Sequence, residues 1–175
     1  MTEKYGQTVK VLFTEDEIKH AVNQLGKRIS FDYRDKDLLV VGVLKGSFVF
    51  MADLVRKIDL PFELDFIKLH SYKGFSSSGN VNLDLDISYD LEGKDILIVE
   101  DILDTGKTLK KIYKSFSQRN ARSVKSAVLL DKPSRRTENI CADYRCFEIP
   151  DSFVVGYGLD FDERFRALPY IAKLY

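Results

Sequence analysis

The chain has 175 residues, and its 27 basic and 27 acidic side chains give a formal net charge of zero. Balanced charge provides no overall attraction to nucleic acid or to an anionic membrane. The first ten residues are polar, and the longest apolar run, residues 38–44, is too short to cross a bilayer. We therefore expect a cytoplasmic protein of one domain, residues 1–175, that binds neither nucleic acid nor membrane.

Predicted strands and helices alternate along the chain. After a short strand at 9–13, Thr14 and Glu17 form a capping-box pattern that starts a helix reaching about Ile29. Further patterns predict strands at 37–44, 62–70, 81–88, 95–99 and 123–130, helices at 48–58 and 107–119, and short strand-like pieces near the C-terminus. This alternation predicts an α/β fold with a mainly parallel central sheet flanked by helices.

Polar residues follow three of the predicted strands. Residues 45–47 follow strand 37–44, residues 100–108 follow strand 95–99, and residues 131–132 follow strand 123–130. Ligands of parallel sheets bind outside the carboxyl ends of the strands, so these polar groups are expected to converge on one site.

The segment VEDILDTGKT, residues 99–108, carries the strongest chemical signal. Residues 105–108 place small side chains and free N–H groups at a helix start, which favours an anion. A P-loop would need glycine at position 101, where this chain has Asp101, so that interpretation fails. Adjacent carboxylates such as Glu100 and Asp101 accept hydrogen bonds from paired hydroxyls or bind Mg²⁺. A diol, a phosphate and a metal together describe a ribose 5-phosphate.

A second anion site is possible at Gly46 and Ser47, which also open a predicted helix. An ordinary strand–helix connection explains this turn equally well. Two anion sites would suit a ligand with phosphate groups at both ends.

The segment 99–108 resembles the phosphoribosyl-pyrophosphate (PRPP) motif of type I phosphoribosyltransferases: an apolar strand, two acids, then D-T-G-x-T. Further segments narrow the resemblance to the hypoxanthine-guanine phosphoribosyltransferases: LKGS at 44–47, HSYKG at 70–74, DKPSRR at 131–136 and FVVGYGLDFDERFRALPYI at 153–171. The resemblance implies the type I phosphoribosyltransferase fold with a small hood. It also implies purine salvage, in which PRPP and a 6-oxopurine give a nucleotide and pyrophosphate with Mg²⁺.

The resemblance further implies roles for individual residues, with Asp104 as the catalytic base or acid. The expected ribose-phosphate ligands are Glu100, Asp101, Asp104, Thr105, Gly106, Lys107 and Thr108. Pyrophosphate would contact Lys45, Gly46 and Arg166, with a cis peptide bond before Lys45. The purine would contact Lys132, Phe153, Val154 and Asp160, and Mg²⁺ would contact Glu100, Asp101 and Asp160. Ser71 and Tyr72 would belong to a mobile loop, residues 71–80, that closes over the site.

Other interpretations stay open for several of these residues. By pattern alone, Phe153 is more readily a core residue, and Lys132, Asp160 and Arg166 are surface charges. A nucleotide-sensing regulator without catalysis and a transferase for a pyrimidine or another base are the competing functions. Lys132, with three donors, favours a 6-oxopurine over adenine. The sequence does not rank hypoxanthine, guanine and xanthine, and it leaves a homodimer or a homotetramer open.

Overall fold

The structure, a computed structural model, describes residues 2–69, 83–85 and 87–175. Within these residues the helices are α1 (Glu15–Asp32), α2 (Phe48–Val55) and α3 (Lys107–Ser117). The strands are β1 (Thr2–Lys4), β2 (Gln7–Phe13), β3 (Leu38–Leu44), β4 (Glu63–Leu69), β5 (Leu83–Leu85), β6 (Asp95–Leu103), β7 (Ser123–Asp131), β8 (Tyr144–Glu148), β9 (Val154–Val155) and β10 (Ile171–Leu174). None of the helices in the described ranges combines the length and apolar character needed to cross a membrane.

The central sheet has, within the described residues, six strands in the order β5-β4-β3-β6-β7-β8. Neighbouring strands in the series β4-β3-β6-β7-β8 pair in parallel. The edge strand β5 pairs antiparallel with β4. On one face, Ile29 of α1 and Phe50 of α2 share a core with Leu97, while on the other Phe116 of α3 packs with Ile98. Because both faces are covered, the inner strands are continuous apolar runs. The predicted α/β fold with a mainly parallel sheet is confirmed.

A second, antiparallel sheet in the order β1-β2-β10-β9 forms the small hood. The predicted strand at 9–13 lies in this sheet as part of β2, and the C-terminal tail supplies β10. The connection between β9 and β10, here called the hood loop (residues 156–170), extends to the turn after β3. There Gly158 meets the carbonyl of Gly46. The hood therefore contributes part of the site.

The strand β6 extends beyond its predicted end at residue 99. It continues through Glu100 and Asp101 to Leu103, because β7 runs beside it as far as the Leu103–Asp131 pair. The acid pair is thus held by the sheet rather than by the following turn. Helix α2 ends earlier than predicted, at Val55, and α3 ends at Ser117. Of the strand predicted at 81–88, the structure describes β5.

The order of the strands locates a crevice between β3 and β6. From β3, the chain places β4 on one side and β6 on the other. The pairing of β3 with β6 ends at Gly42 and Val99, whereas β6 remains paired with β7 beyond that point. Such a reversal of strand order, at the carboxyl ends of the strands, is where α/β sheets bind ligands.

Candidate active site

The strand β6 carries two adjacent acids, Glu100 and Asp101, at this crevice. Burial, together with the nearby charge of Asp101, raises the pKa of Glu100 to about 8. Burial also raises the pKa of Asp101 to about 6, although the Ile102 N–H donates to Asp101 Oδ1 at 3.0 Å and opposes this shift. Two neighbouring carboxyls with raised pKa values lack sufficient positive charge around them. The pair is therefore suited to a cation or to hydroxyl donors.

Two glycines allow the surrounding segments to approach the acid pair closely. A Cβ atom at Gly46 would overlap with the carboxylate of Asp101, and a Cβ atom at Gly158 would overlap with the carbonyl of Gly46. Gly158 also has φ +101°, a conformation that favours glycine. The peptide bond between Leu44 and Lys45 is cis, as the resemblance implies. These contacts bring the turn after β3, the end of β6 and the hood loop together.

The predicted anion-binding segment, residues 105–108 and here called the anion loop, lies at the start of α3. Gly106 occupies the N-cap position with φ 85°, and a Cβ atom there would overlap with the side chain of Ile140. Glycine has no side-chain cap, so N–H groups of the first turn remain available to an anion. Behind the loop, the carbonyl of Thr105 accepts hydrogen bonds from the N–H groups of Thr137 (3.1 Å) and Glu138 (3.2 Å).

Two arginines that the sequence analysis did not single out hold this loop in place. Arg136 donates to the carbonyls of Leu103 (3.0 Å) and Asp104, and it forms an ion pair with Asp131. The Arg135 side chain donates to Asp104 Oδ1 at 3.3 Å. Both belong to the DKPSRR segment, whose basic character was visible in the sequence although its partners were not.

The expected purine ligands differ sharply in exposure. Lys132 is only 7% exposed, so the surface-charge interpretation is wrong, and within the described residues its ammonium has no hydrogen bond or ion pair. Phe153 is 53% exposed and meets Phe161 edge to face at 5.7 Å, so the core interpretation is wrong as well. Val154 is buried in β9. A lysine ammonium that is free to donate and an exposed aromatic ring are suited to a flat polar ligand.

The expected pyrophosphate ligands meet where the hood loop contacts the turn after β3. Arg166 donates to the carbonyl of Gly158 and forms an ion pair with Asp160, both at 2.8 Å. Glu163 contacts both cations, with its Oε1 3.0 Å from the Lys45 ammonium and its Oε2 3.2 Å from Arg166. The sequence analysis did not single out Glu163.

The three carboxylates expected to contact Mg²⁺ have different surroundings in the structure. Across residues 2–69, 83–85 and 87–175, no group of three or more His, Cys, Asp and Glu side chains is arranged to hold a metal ion. Asp160, the third expected ligand, is paired with Arg166. Mg²⁺, however, usually binds one or two carboxylates together with water and substrate phosphates, and Glu100 with Asp101 fits that requirement. Ser71 and Tyr72 lie outside the described residues.

The sheet order, the acid pair and the adjoining anion loop define a type I phosphoribosyltransferase, and residues 9–162 match the family described as phosphoribosyl transferase domain. The hypoxanthine-guanine phosphoribosyltransferase of Streptococcus pneumoniae is 51% identical over 166 residues, covering 94% of this chain and 92% of that protein. The enzyme of the same name from Bacillus subtilis is 49% identical over the same shares. A solved hypoxanthine phosphoribosyltransferase from Staphylococcus aureus superposes with a TM-score of 0.90 at 46% identity, covering 95% and 91% of the two chains. The chain belongs to the hypoxanthine-guanine phosphoribosyltransferase family and is a pentosyl-transferring enzyme.

The raised pKa values of the acid pair predict the pH response of the metal-free protein. Between pH 4.5 and about 8, folded Glu100 keeps a proton that the unfolded chain loses, so rising pH favours unfolding. Asp101 acts in the same direction between 3.8 and about 6. We expect the melting temperature in EDTA to fall across this range, and to fall less steeply in Glu100→Gln. Equal slopes for the variant and the wild type would exclude Glu100 as the cause.

The Arg136 contacts predict that replacing Arg136 lowers the stability of the fold more than replacing Arg145, the other arginine paired with Asp131. Arg136 and Arg145 both pair with Asp131, but their side chains are 14% and 51% exposed, respectively. Arg136→Met leaves the Asp104 carbonyl and part of the buried Asp131 carboxylate without donors, whereas the Leu103 carbonyl keeps the N–H of Lys132 at 3.0 Å. We expect this change to lower the free energy of unfolding by about 2–4 kcal/mol. The matched control Arg145→Met should cost under about 1 kcal/mol. Urea unfolding measures both, and equal losses would contradict the role assigned to Arg136.

Proposed function

We propose that this enzyme transfers the 5-phosphoribosyl group of PRPP to hypoxanthine or guanine, giving IMP or GMP and pyrophosphate, with Mg²⁺. The observation that carries the choice of base is Lys132, a mostly buried lysine whose ammonium has no hydrogen-bond or ion-pair partner within the described residues. An ammonium has three donors and no acceptor, so it pairs with the 6-oxo group of these purines and not with the 6-amino group of adenine. The exposed ring of Phe153 is proposed to stack on the base, with Val154 and Asp160 at its edge.

The ribose phosphate is proposed to bind along β6 and the start of α3. Glu100 and Asp101 would accept the ribose hydroxyls or hold Mg²⁺, and the raised pKa values of both carboxyls support a ligand that brings positive charge or donors. Residues 105–108 would hold the 5′-phosphate through main-chain N–H and hydroxyl groups. When bound, Mg²⁺ would neutralise charge on the phosphate groups of PRPP.

The leaving pyrophosphate is proposed to contact Lys45, the main chain of Gly46, and Arg166. Breaking the bond between the sugar C1 and pyrophosphate develops positive charge on the ribose and negative charge on the leaving group. Two cations fixed beside the crevice stabilise that negative charge as it forms. Asp104, at the head of the anion loop, is proposed to exchange a proton with the purine. Ser71 and Tyr72, with the loop of residues 71–80, are proposed to close over the site and exclude water.

We also propose that residues 1–175 act as one phosphoribosyltransferase domain in the cytoplasm, without a nucleic-acid or membrane partner. Assembly as a homodimer or homotetramer is supported by large apolar side chains that remain exposed in the single chain, including Phe31 and Phe48. Light scattering coupled to size-exclusion chromatography measures the mass of the assembly. A monomer at micromolar concentration would exclude both assemblies.

A base panel tests the proposed reaction. The protein is mixed with Mg²⁺, PRPP and, separately, hypoxanthine, guanine, xanthine, adenine or uracil, and nucleotide formation is followed by chromatography. Product with hypoxanthine or guanine, and none with adenine or uracil, is the expected result. Product with uracil would favour the pyrimidine alternative. PRPP or nucleotide binding without product from any base would favour the sensing regulator. Omitting Mg²⁺ and adding EDTA should abolish product formation if the metal is required.

A further inference from the structure

Glu163 occupies a position between the two side chains assigned to pyrophosphate. Its two carboxylate oxygens contact different cations, Lys45 at 3.0 Å and Arg166 at 3.2 Å. The two cations lie far apart in the sequence and come from the turn after β3 and from the hood loop. Bound pyrophosphate would be an anion that bridges these two cations. In the free chain, the carboxylate of Glu163 takes that bridging position.

The backbone directs Glu163 toward these cations. Asp162 and Glu163 have φ values of 52° and 59°, an uncommon conformation for residues other than glycine. The N–H of Glu163 donates to Asp160 Oδ2 at 3.0 Å, which ties the turn to a residue that also pairs with Arg166. The position of the Glu163 carboxylate is thus built into the loop. Its two cation contacts also lower the pKa of Glu163, so it is charged at neutral pH.

The contact with Lys45 is nevertheless easy to displace. The Lys45 and Glu163 side chains are 57% and 65% exposed, and ion pairs at such exposure contribute little to stability because water and salt screen them. A pyrophosphate group carries several negative charges and would compete well with a single carboxylate for Lys45 and Arg166. The two anions would compete for the donors of Lys45 and Arg166 that face Glu163.

We propose that Glu163 is a displaceable counter-ion of the pyrophosphate site, one that lowers the affinity for PRPP and for pyrophosphate. This inference rests on the proposed function, because it takes Lys45 and Arg166 as the pyrophosphate ligands. In the free enzyme Glu163 neutralises the two cations. When PRPP binds, its pyrophosphate replaces the carboxylate, and when pyrophosphate leaves, the carboxylate returns. Glu163 thereby favours release of the product.

The test compares the binding of Mg²⁺-pyrophosphate and of Mg²⁺-PRPP to three proteins by calorimetry. Glu163→Gln removes the competing charge but keeps a side chain of similar size. Glu15→Gln is the control, since Glu15 is an exposed carboxylate paired with Lys19 at 2.8 Å on α1 and its replacement changes the net charge equally. We expect Glu163→Gln to lower both dissociation constants by about two- to fivefold, the range that corresponds to an exposed ion pair. Glu15→Gln should bind as the wild type does.

The possible failures can be told apart. With normal binding by the wild type, weaker binding by Glu163→Gln would overturn the inference, because Glu163 would then hold Lys45 and Arg166 in place. Equal binding would overturn it as well, because Glu163 would then not compete with the ligand. An equal gain in both variants would also overturn it, since net charge alone would explain the result. If the wild type bound neither ligand, the proposed function would fail together with the inference. The gain should shrink as salt is raised, because the competing ion pair is exposed.

Discussion

Replacement of Asp104 by asparagine is expected to lower kcat by about 10²–10⁴-fold, the usual contribution of a positioned acid or base. Asp104 follows β6 directly and opens the anion loop, with its carbonyl held by Arg136 and its Oδ1 held by Arg135 at 3.3 Å. Asparagine keeps the shape and an accepting oxygen but cannot exchange a proton. The loop should therefore remain in place, and IMP should bind with nearly normal affinity.

A second variant separates proton transfer from the ion pair. Arg135→Gln removes the charged partner of Asp104 but keeps the carboxylate, and we expect its effect on kcat to stay under about tenfold, as for an exposed pair. Steady-state kinetics with hypoxanthine and calorimetry with IMP provide the two readouts. Unchanged turnover in Asp104→Asn would remove Asp104 from the mechanism. A loss of IMP binding that matches the loss of turnover would assign Asp104 to binding instead.

Replacement of Lys132 by methionine is expected to weaken catalysis without weakening the fold. Most of the Lys132 side chain is buried, but its ammonium is not among the buried polar atoms that lack a partner in the described part of the chain, so water can solvate it when no ligand is bound. Methionine fills similar space without charge, so the melting temperature should change little. The loss of a charged hydrogen bond to the 6-oxo group should reduce kcat/KM for hypoxanthine by about 10–10²-fold. A loss of activity without a loss of stability is characteristic of a residue retained for function.

Lys125→Met is a suitable control because Lys125 lies near the other end of β7, where its ammonium is 5.9 Å from the centre of the Tyr144 ring. That variant should keep the kinetic constants of the wild type. KM for PRPP should also stay unchanged in Lys132→Met, since the proposed phosphate contacts lie elsewhere. A less stable Lys132→Met protein with unchanged kcat/KM would show that Lys132 serves the fold rather than the purine.

The family and the order of the elements were accessible from the sequence because their signals are local. The segment 99–108 places the acid pair, Asp104 and Gly106 within one strand–turn–helix unit, so neighbouring residues carry the whole motif. The capping box at Thr14 and Glu17 was likewise predicted and is present, with hydrogen bonds in both directions. Where the prediction placed the end of β6 too early, the missing information was the pairing with β7, which extends that strand past the acids.

The tertiary structure alone decided which side chains are buried and which charges meet. Lys132 and Phe153 looked like a surface charge and a core residue, yet the first is buried and the second is exposed. The Glu163 bridge joins residues separated by 118 positions, and the Arg136 contact spans 32. Ion pairs and burial of this kind depend on how distant segments cross, which no local pattern encodes. Sequence therefore determined the family and the chemical groups at the strand ends, while packing determined how those groups are held and which of them face the ligand.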